Sequence, residues 1–205
     1  PGAKAAAMPA TITPQLATLV KAPPAGAGWV HEVEYDGYRM LCRIEGGDVR
    51  IISRNGKEWT EDFPGIAAGA AKLPVESAWI DGEICVVDPL GRSSFQSLQN
   101  VLSNAPGALV YFAFDLLYAD GIDLRGGTLV DRKRGLQELL EASPGAIQYS
   151  DHFDAPGAVF HKDGCKLGLE GKSRRQVPSW AKAGVAQSKV HSPAEIRHWG
   201  LPRLI

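Results

Sequence analysis

Two apolar runs meet at Asp36-Gly37, and this meeting constrains the chain more than any other stretch. Trp29, Val30, Val33 and Tyr35 carry the β-branched and aromatic character of a buried strand. Asp36-Gly37 breaks that run, and a second strand-like run follows at once from Tyr38 to Ile44. The stretch WVHEVEYDGYR therefore holds an acid, a glycine and Arg39 at a strand-to-strand junction, with Glu32 and Glu34 beside them. Taken alone, an Asp-Gly pair between strands reads as a surface turn with scattered charges.

The same alternation of strands and turns continues along the chain. Gly46-Gly47 separates the second run from Val49 to Ser53, and a glycine pair suits the positive φ angles of a tight hairpin. Arg54-Asn55-Gly56 makes a further turn, in which Arg54 is either a solvated flank or a ligand contact. Phe63 to Leu73 is alanine-rich with helical apolar spacing and predicts a short helix closed by Pro74. Ala78 to Asp88 predicts a strand interrupted by Asp81-Gly82-Glu83, where Glu83 either faces solvent on an edge or serves a site. Ser93 or Ser94 can cap a helix that runs to Leu102. LVYFAFDLLY, residues 109 to 118, is the most apolar run and suits a central strand with Phe112 and Phe114 in the core. Thr128 to Glu141 predicts an amphipathic helix, with Leu129, Leu136, Leu139 and Leu140 inward and Asp131 to Arg134 on a solvated face. Ile147 to Phe153 reads as a strand, and Ala155 to Leu167 as a helix ended by Gly168.

At 205 residues the chain can bury one large core, and its 44% apolar and 22% charged residues are those of a soluble globular protein. No apolar run approaches the length of a membrane span, and PGAKAAAMPA lacks the hydrophobic core of a secretory signal, so a cytoplasmic protein with no membrane partner is expected. Cys42, Cys85 and Cys165 are far apart and odd in number, which predicts core residues in a reducing compartment. The formal net charge of −1 hides a division. Lys172 to Ile205 carries seven basic residues against Glu195 alone, leaving 15 basic and 22 acidic residues before it. A basic tail of this kind either holds nucleic-acid backbone or is simply solvated.

Glu32, Asp36, Gly37 and Arg39 resemble motif I of the covalent nucleotidyltransferases, the superfamily of ATP-dependent DNA ligases, RNA ligases and capping enzymes. That motif reads Lys-x-Asp-Gly-x-Arg, with a Glu two places before the lysine. Glu34 stands where the family has its lysine, the residue that attacks the α-phosphate of ATP. SRNG resembles motif Ia, in which Arg54 would contact the ribose side of the nucleotide. Glu83 matches the Asp-Gly-Glu acid that positions ribose or metal, and FDLLY matches motif III, with Phe114 stacking on adenine and Asp115 supporting the fold. GCKLGLEG resembles the entry to motif IV: Glu170 and Gly171 match, two branched residues are missing, and Arg174 is the candidate stand-in for the motif IV lysine. A strand that loses an odd number of residues turns its side chains to the other face. Trp180 and Lys182 match motif V, while Gly184 takes its last lysine's place.

The resemblance covers roughly residues 14 to 182 and is nearest to the ligase module of bacterial end-joining DNA ligases. It implies an α+β nucleotidyltransferase fold, ATP-grasp-like, with antiparallel sheets flanked by helices around a nucleotide cleft. The implied organisation is a leader over residues 1–28, an adenylation domain over 29–185 and a divergent basic tail over 186–205, with no OB-fold, nuclease or polymerase module. ATP, Mg2+ or Mn2+, nicked or broken DNA and end-joining repair proteins are the implied ligands and partners. Glu34 and Asp36 are the implied catalytic positions; Glu32, Arg39, Arg54, Glu83, Phe114, Arg174 and Lys182 the nucleotide contacts; Glu83 and Glu170 the metal ligands.

Glu34 breaks this scheme at its first step, because a carboxylate is a poor nucleophile toward an anionic phosphate. One added negative charge ~4 Å from a phosphate also costs about 4 kcal/mol at an effective dielectric near 20. Self-adenylylation is therefore expected to be lost and ATP binding weakened. The alternatives are a non-catalytic nucleotide- or DNA-binding pseudo-enzyme, or an RNA-ligase or capping-type relative. Beyond Val185 the resemblance ends, and a divergent tail, a frame change near Gly171 and an edited chain all stay open.

Overall fold

A computed structural model of the chain describes residues 2–16, 18–19, 29–88, 93–103, 108–141, 145–153, 171–176 and 187–191. The glycine pair makes the expected hairpin: Gly46 and Gly47 take φ of 57° and 85°, and β4 (Tyr38–Glu45) pairs with β5 (Asp48–Ser53) so that Glu45 faces Asp48. Positive φ at both central residues matches the turn to the twist of its flanking strands. On its other edge β4 pairs with β6 (Ser77–Val86), which pairs in turn with the apolar β7 (Leu109–Ala119). Outside β7 lie β8 (Ile122–Asp123) and β1 (Lys4–Ala5), and β9 (Ile147–Tyr149) pairs with β7 in parallel, giving a seven-stranded sheet among the described residues.

The β6–β7 ladder shifts register between Trp79 and Ile80 and again between Asp81 and Gly82. Gly82 admits the Tyr111 ring at that irregularity, since a Cβ there would lie 2.5 Å from a ring carbon. The buried Tyr111 hydroxyl reaches the carbonyls of Met40 and Ile80, at 3.1 and 3.0 Å. A buried hydroxyl that finds such partners avoids most of its desolvation cost.

A second sheet has the order β10 (His152–Phe153), β3 (Trp29–Glu34), β11 (Gly171–Gln176), β12 (Gln187–His191) and β2 (Thr18–Leu19). The two runs that meet at Asp36-Gly37 thus belong to different sheets. The pair is a crossing between sheets and not the surface turn that an isolated Asp-Gly suggests. Gly37 is required there because a Cβ would sit 2.2 Å from the Ile84 carbonyl oxygen and 2.6 Å from Cys85 Sγ. The strand expected over Ile147 to Phe153 is likewise divided, β9 joining one sheet and β10 the other. The helix expected over 155–167 lies outside the described residues.

The main core lies between the seven-stranded sheet and three helices: α1 (Pro64–Ala70), α2 (Phe95–Leu102) and α3 (Leu129–Glu141). Ile44, Ile51, Phe63, Ile66, Ile80, Ile84, Leu98 and Leu136 are buried there. Ser94 caps α2, its hydroxyl accepting the Ser97 N–H at 3.3 Å. On a separate cluster, Leu41, Trp79, Leu117 and Tyr118 pack with Ile12 and Met8. Residues 2–16, read from sequence as leader, are tied down by hydrogen bonds from Trp79 Nε1 to the Pro9 carbonyl (2.9 Å) and from the Tyr118 hydroxyl to that of Ala6 (3.1 Å). Cys42 and Cys85 are buried as expected, and burial pushes the Cys42 thiol up to about 12.

One expectation for α3 fails. Leu129, Leu136 and Leu140 face inward, but so do Arg132 and Lys133, which were read as part of a solvated face. Each meets a buried carboxylate, Asp115 and Glu32 respectively, and that pairing is what makes their burial tolerable. Among the described residues, no helix is long and apolar enough to cross a membrane.

Candidate nucleotide cleft

The crossings at Asp36-Gly37 and at Ser150-Asp151 carry the chain from one sheet to the other, and residues of both sheets line one cleft. Glu32, Glu34 and Tyr35 come from β3 and its end, Arg39 from β4, Ser53 from the end of β5, Arg54 and Lys57 from the turn after it, Glu83 from β6 and Phe114 from β7. Its volume is about 620 Å³, within the range of small-molecule sites.

The two acid-glycine stretches hold each other in place. Arg39 lies opposite Glu83 in the β4–β6 ladder. Its guanidinium grips the fully buried Asp81 carboxylate through Nε (3.1 Å) and Nη2 (2.7 Å), and Nη1 donates to the Gln15 carbonyl at 2.6 Å. In return, Glu83 Oε1 accepts the Gly37 N–H at 3.1 Å. Arg39 also stands 5.4 Å from the centre of the Phe114 ring, a cation–π contact that steadies an aromatic in the cleft wall. Arg39 is therefore a strut of the cleft as well as part of its lining.

Asp36 is directed elsewhere. Its carboxylate accepts the Phe95 N–H at 2.9 Å, at the first turn of α2, and its own N–H donates to Ser93 Oγ at 2.8 Å. A carboxylate satisfies an unpaired amide there and complements the helix dipole. The crossing is thereby tied to a helix end, and Asp36 does not line the cleft.

Sequence reasoning missed several groups. Tyr35 stacks on Phe112 with ring centres 3.9 Å apart, and burial raises the pKa of its hydroxyl, which stays neutral at the cleft wall. Lys57 lies 4.2 Å over the Trp59 ring at the rim. Lys133, wholly buried, reaches Glu32 Oε1 at 2.6 Å. Its signal in the sequence was Glu32 itself, an acid within a buried strand that needed a cation.

The cleft thus unites Glu32, Glu34, Arg39, Arg54, Glu83 and Phe114 from the sequence expectations. Arg174 falls on β11 at the position opposite His31, with Ser173 opposite Glu32. Glu170 and Lys182 lie outside the described residues. Glu34 and Glu83 offer hard oxygen donors to one space, yet no group of three or more potential ligands among the described residues could hold a metal alone. That donor set fits an ion of the Mg2+ kind, which takes one or two carboxylates and completes its shell with phosphate oxygens and water.

Comparison with known proteins gives this cleft a family. The model of the ATP-dependent DNA ligase domain matches residues 8–164. The multifunctional non-homologous end joining protein LigD of Pseudomonas aeruginosa is 43% identical over 177 residues, which are 84% of this chain and 21% of the relative. Its counterpart in Mycobacterium tuberculosis is 30% identical over 177 residues, 86% of this chain and 22% of the relative. The chain spans about a fifth of the length of these curated relatives. The solved structure of mycobacterial DNA ligase D complexed with ATP and MES superposes with a TM-score of 0.75 at 30% identity, over 87% of this chain and 60% of that one. Chlorella virus DNA ligase-adenylate, at 16% identity and a TM-score of 0.62 over 89% of this chain and 69% of that one, shares the fold. With its largely antiparallel sheets, flanking helices and shared cleft, the chain belongs to the ATP-dependent DNA ligase family as an α+β adenylation domain of the nucleotidyltransferase type.

Proposed function

We propose that the cleft binds ATP with a divalent metal ion, as the adenylation module of an end-joining DNA ligase acting on nicked or broken DNA, and that Glu34 disables its first chemical step. One observation carries this reading: six side chains from five stretches of the chain, with an acid at the nucleophile's position among them, line a single cleft of nucleotide size. Phe114 offers a ring face to the base, Arg54 and Lys57 offer positive charge to ribose and phosphates, and Glu32 offers an acceptor oxygen. A bound Mg2+ or Mn2+, held by Glu83 and on the family pattern by Glu170, would neutralise phosphate charge.

The family's step requires a neutral amine that attacks the α-phosphorus while pyrophosphate leaves. Glu34 has no such amine, and its carboxylate repels the phosphate it faces. Incubation with α-labelled ATP and either metal is expected to leave the natural chain unlabelled. Glu34→Lys is expected to acquire covalent label, released by acid as a lysyl phosphoramidate would be. Label on the natural chain would overturn the inactivation, and an unlabelled Glu34→Lys would move the defect to residues 171–205.

The acid at position 34 also favours a second reading, a module that holds nucleotide or DNA without turnover. Nicked duplex titrated at two salt concentrations tests it: binding that weakens steeply with salt supports phosphate contacts by the chain's cations.

A further inference from the structure

Helix α3 delivers Lys133 behind the lining of the cleft, and nothing in the reading above gives this residue a task. Its ammonium is fully buried. Nζ lies 2.6 Å from Glu32 Oε1, 2.8 Å from the Ser150 carbonyl oxygen and 3.2 Å from that of Phe114, with the Tyr149 ring centre at 5.1 Å. The three acceptors have three origins: β3 of the smaller sheet, β7 of the larger one, and the crossing that leads from β9 to β10. Glu32, Phe114 and Ser150 all line the cleft.

We propose that Lys133 is a positioning residue for nucleotide recognition: it fixes the Glu32 carboxylate and pins both walls of the cleft at one point, without touching the ligand. The proposal rests on the reading of the cleft as an ATP site. An ammonium has three donors, and here three oxygens stand within reach of them. A carboxylate oxygen held at 2.6 Å by a buried cation cannot wander among rotamers, so less ordering remains for the ligand to impose. The same geometry denies Lys133 the role of replacement nucleophile. An attacking amine must be unprotonated and open to phosphorus, whereas this one is a buried cation facing a carboxylate and two carbonyls.

The test is ATP binding in the presence of Mg2+, by calorimetric titration of the full chain and of Lys133→Met, Lys133→Arg, Glu32→Gln and the Glu32→Gln/Lys133→Met double variant, each below its melting temperature. Lys133→Met is expected to weaken ATP binding at least tenfold, and Lys133→Arg, which keeps the charge, to recover most of the loss. In the Glu32→Gln background the methionine is expected to cost less than a further threefold, because its route to the ligand is already cut. Natural affinity in Lys133→Met, or an equal loss in both backgrounds, overturns the proposal. If Lys133→Met fails to fold, the double variant, which strands neither charge, decides: affinity matching Glu32→Gln supports the proposal and a further tenfold loss overturns it. A natural chain that binds no ATP overturns the reading of the cleft and the proposal with it, an outcome distinct from all the others.

Discussion

Arg132 and Lys133 are consecutive residues of α3, both buried and both paired with a buried carboxylate, and they brace different regions. Arg132 closes a two-pronged grip on Asp115, at 2.7 and 3.0 Å, and donates to the Gly127 carbonyl at 2.8 Å. Asp115 lies on β7, so this pair ties the helix to the sheet it already packs against. Lys133 reaches past that sheet to Glu32 on the other one. The side chains match these tasks. A planar guanidinium suits two parallel bonds to one carboxylate, and a compact ammonium suits three acceptors that come from different directions. One region of the helix surface therefore holds the fold, and its neighbour holds the cleft.

The largest expected effect falls on the first region. Arg132→Met leaves Asp115 buried without its cation, and losing one partner of a buried pair costs about 3–5 kcal/mol. Urea unfolding should show that loss, while the folded fraction binds ATP within twofold of the natural chain. Equal damage to ATP affinity from Arg132→Met and Lys133→Met would erase the contrast between the two pairs. Gly82→Ala should come next, because its Cβ would meet the Tyr111 ring at 2.5 Å and the Phe112 carbonyl oxygen at 2.7 Å. Overpacking of a tight core costs about 1–3 kcal/mol. Gly82 lies inside the larger sheet, so the loss should again appear in urea unfolding, with Glu34→Lys/Gly82→Ala labelled by ATP to the same final extent as Glu34→Lys.

The long strands β3 to β7 were legible because β-branched runs and glycine pairs act locally. Tyr38 to Ile44, Gly46-Gly47, Ala78 to Asp88 and residues 109 to 118 all appear at or within a few residues of their expected bounds. Six of the expected positions, read through motif I, motif Ia, the Asp-Gly-Glu acid and motif III, line one cleft. Partnership across sheets was not legible. Glu32, Lys133 and Ser150 meet only in three dimensions, and Lys133 in a mixed-charge helical stretch carries the signature of a solvated face. The tie of Asp36 to α2 was hidden for a similar reason, since its bond to the Phe95 N–H spans 59 residues of sequence. The crossings between sheets were hidden too, because a strand's pattern reports that it is buried and not which sheet buries it.

A third acid–base pair sharpens the comparison from its weak end. Asp123 on β8 accepts the Arg125 backbone N–H at 3.1 Å and the guanidinium at 2.9 and 2.8 Å. Its side chain is 12% exposed and that of Arg125 33%, and the two are only two residues apart. Hydrogen bonds from the Arg125 side chain hold the Asp123 carboxyl below the usual carboxylate range, against the upward pull of burial. A lowered folded-state pKa means that the pair's contribution is fully present above the unfolded value of about 3.9 and is lost as pH falls through the lower folded one. Solvent screens a pair of this kind, so Asp123→Asn should cost under about 1 kcal/mol at pH 7. Urea midpoints taken from pH 7 down to pH 3 should bring the variant and the natural chain together at the acid end. A gap that widens with acid would assign Asp123 a raised pKa and overturn this account of the pair.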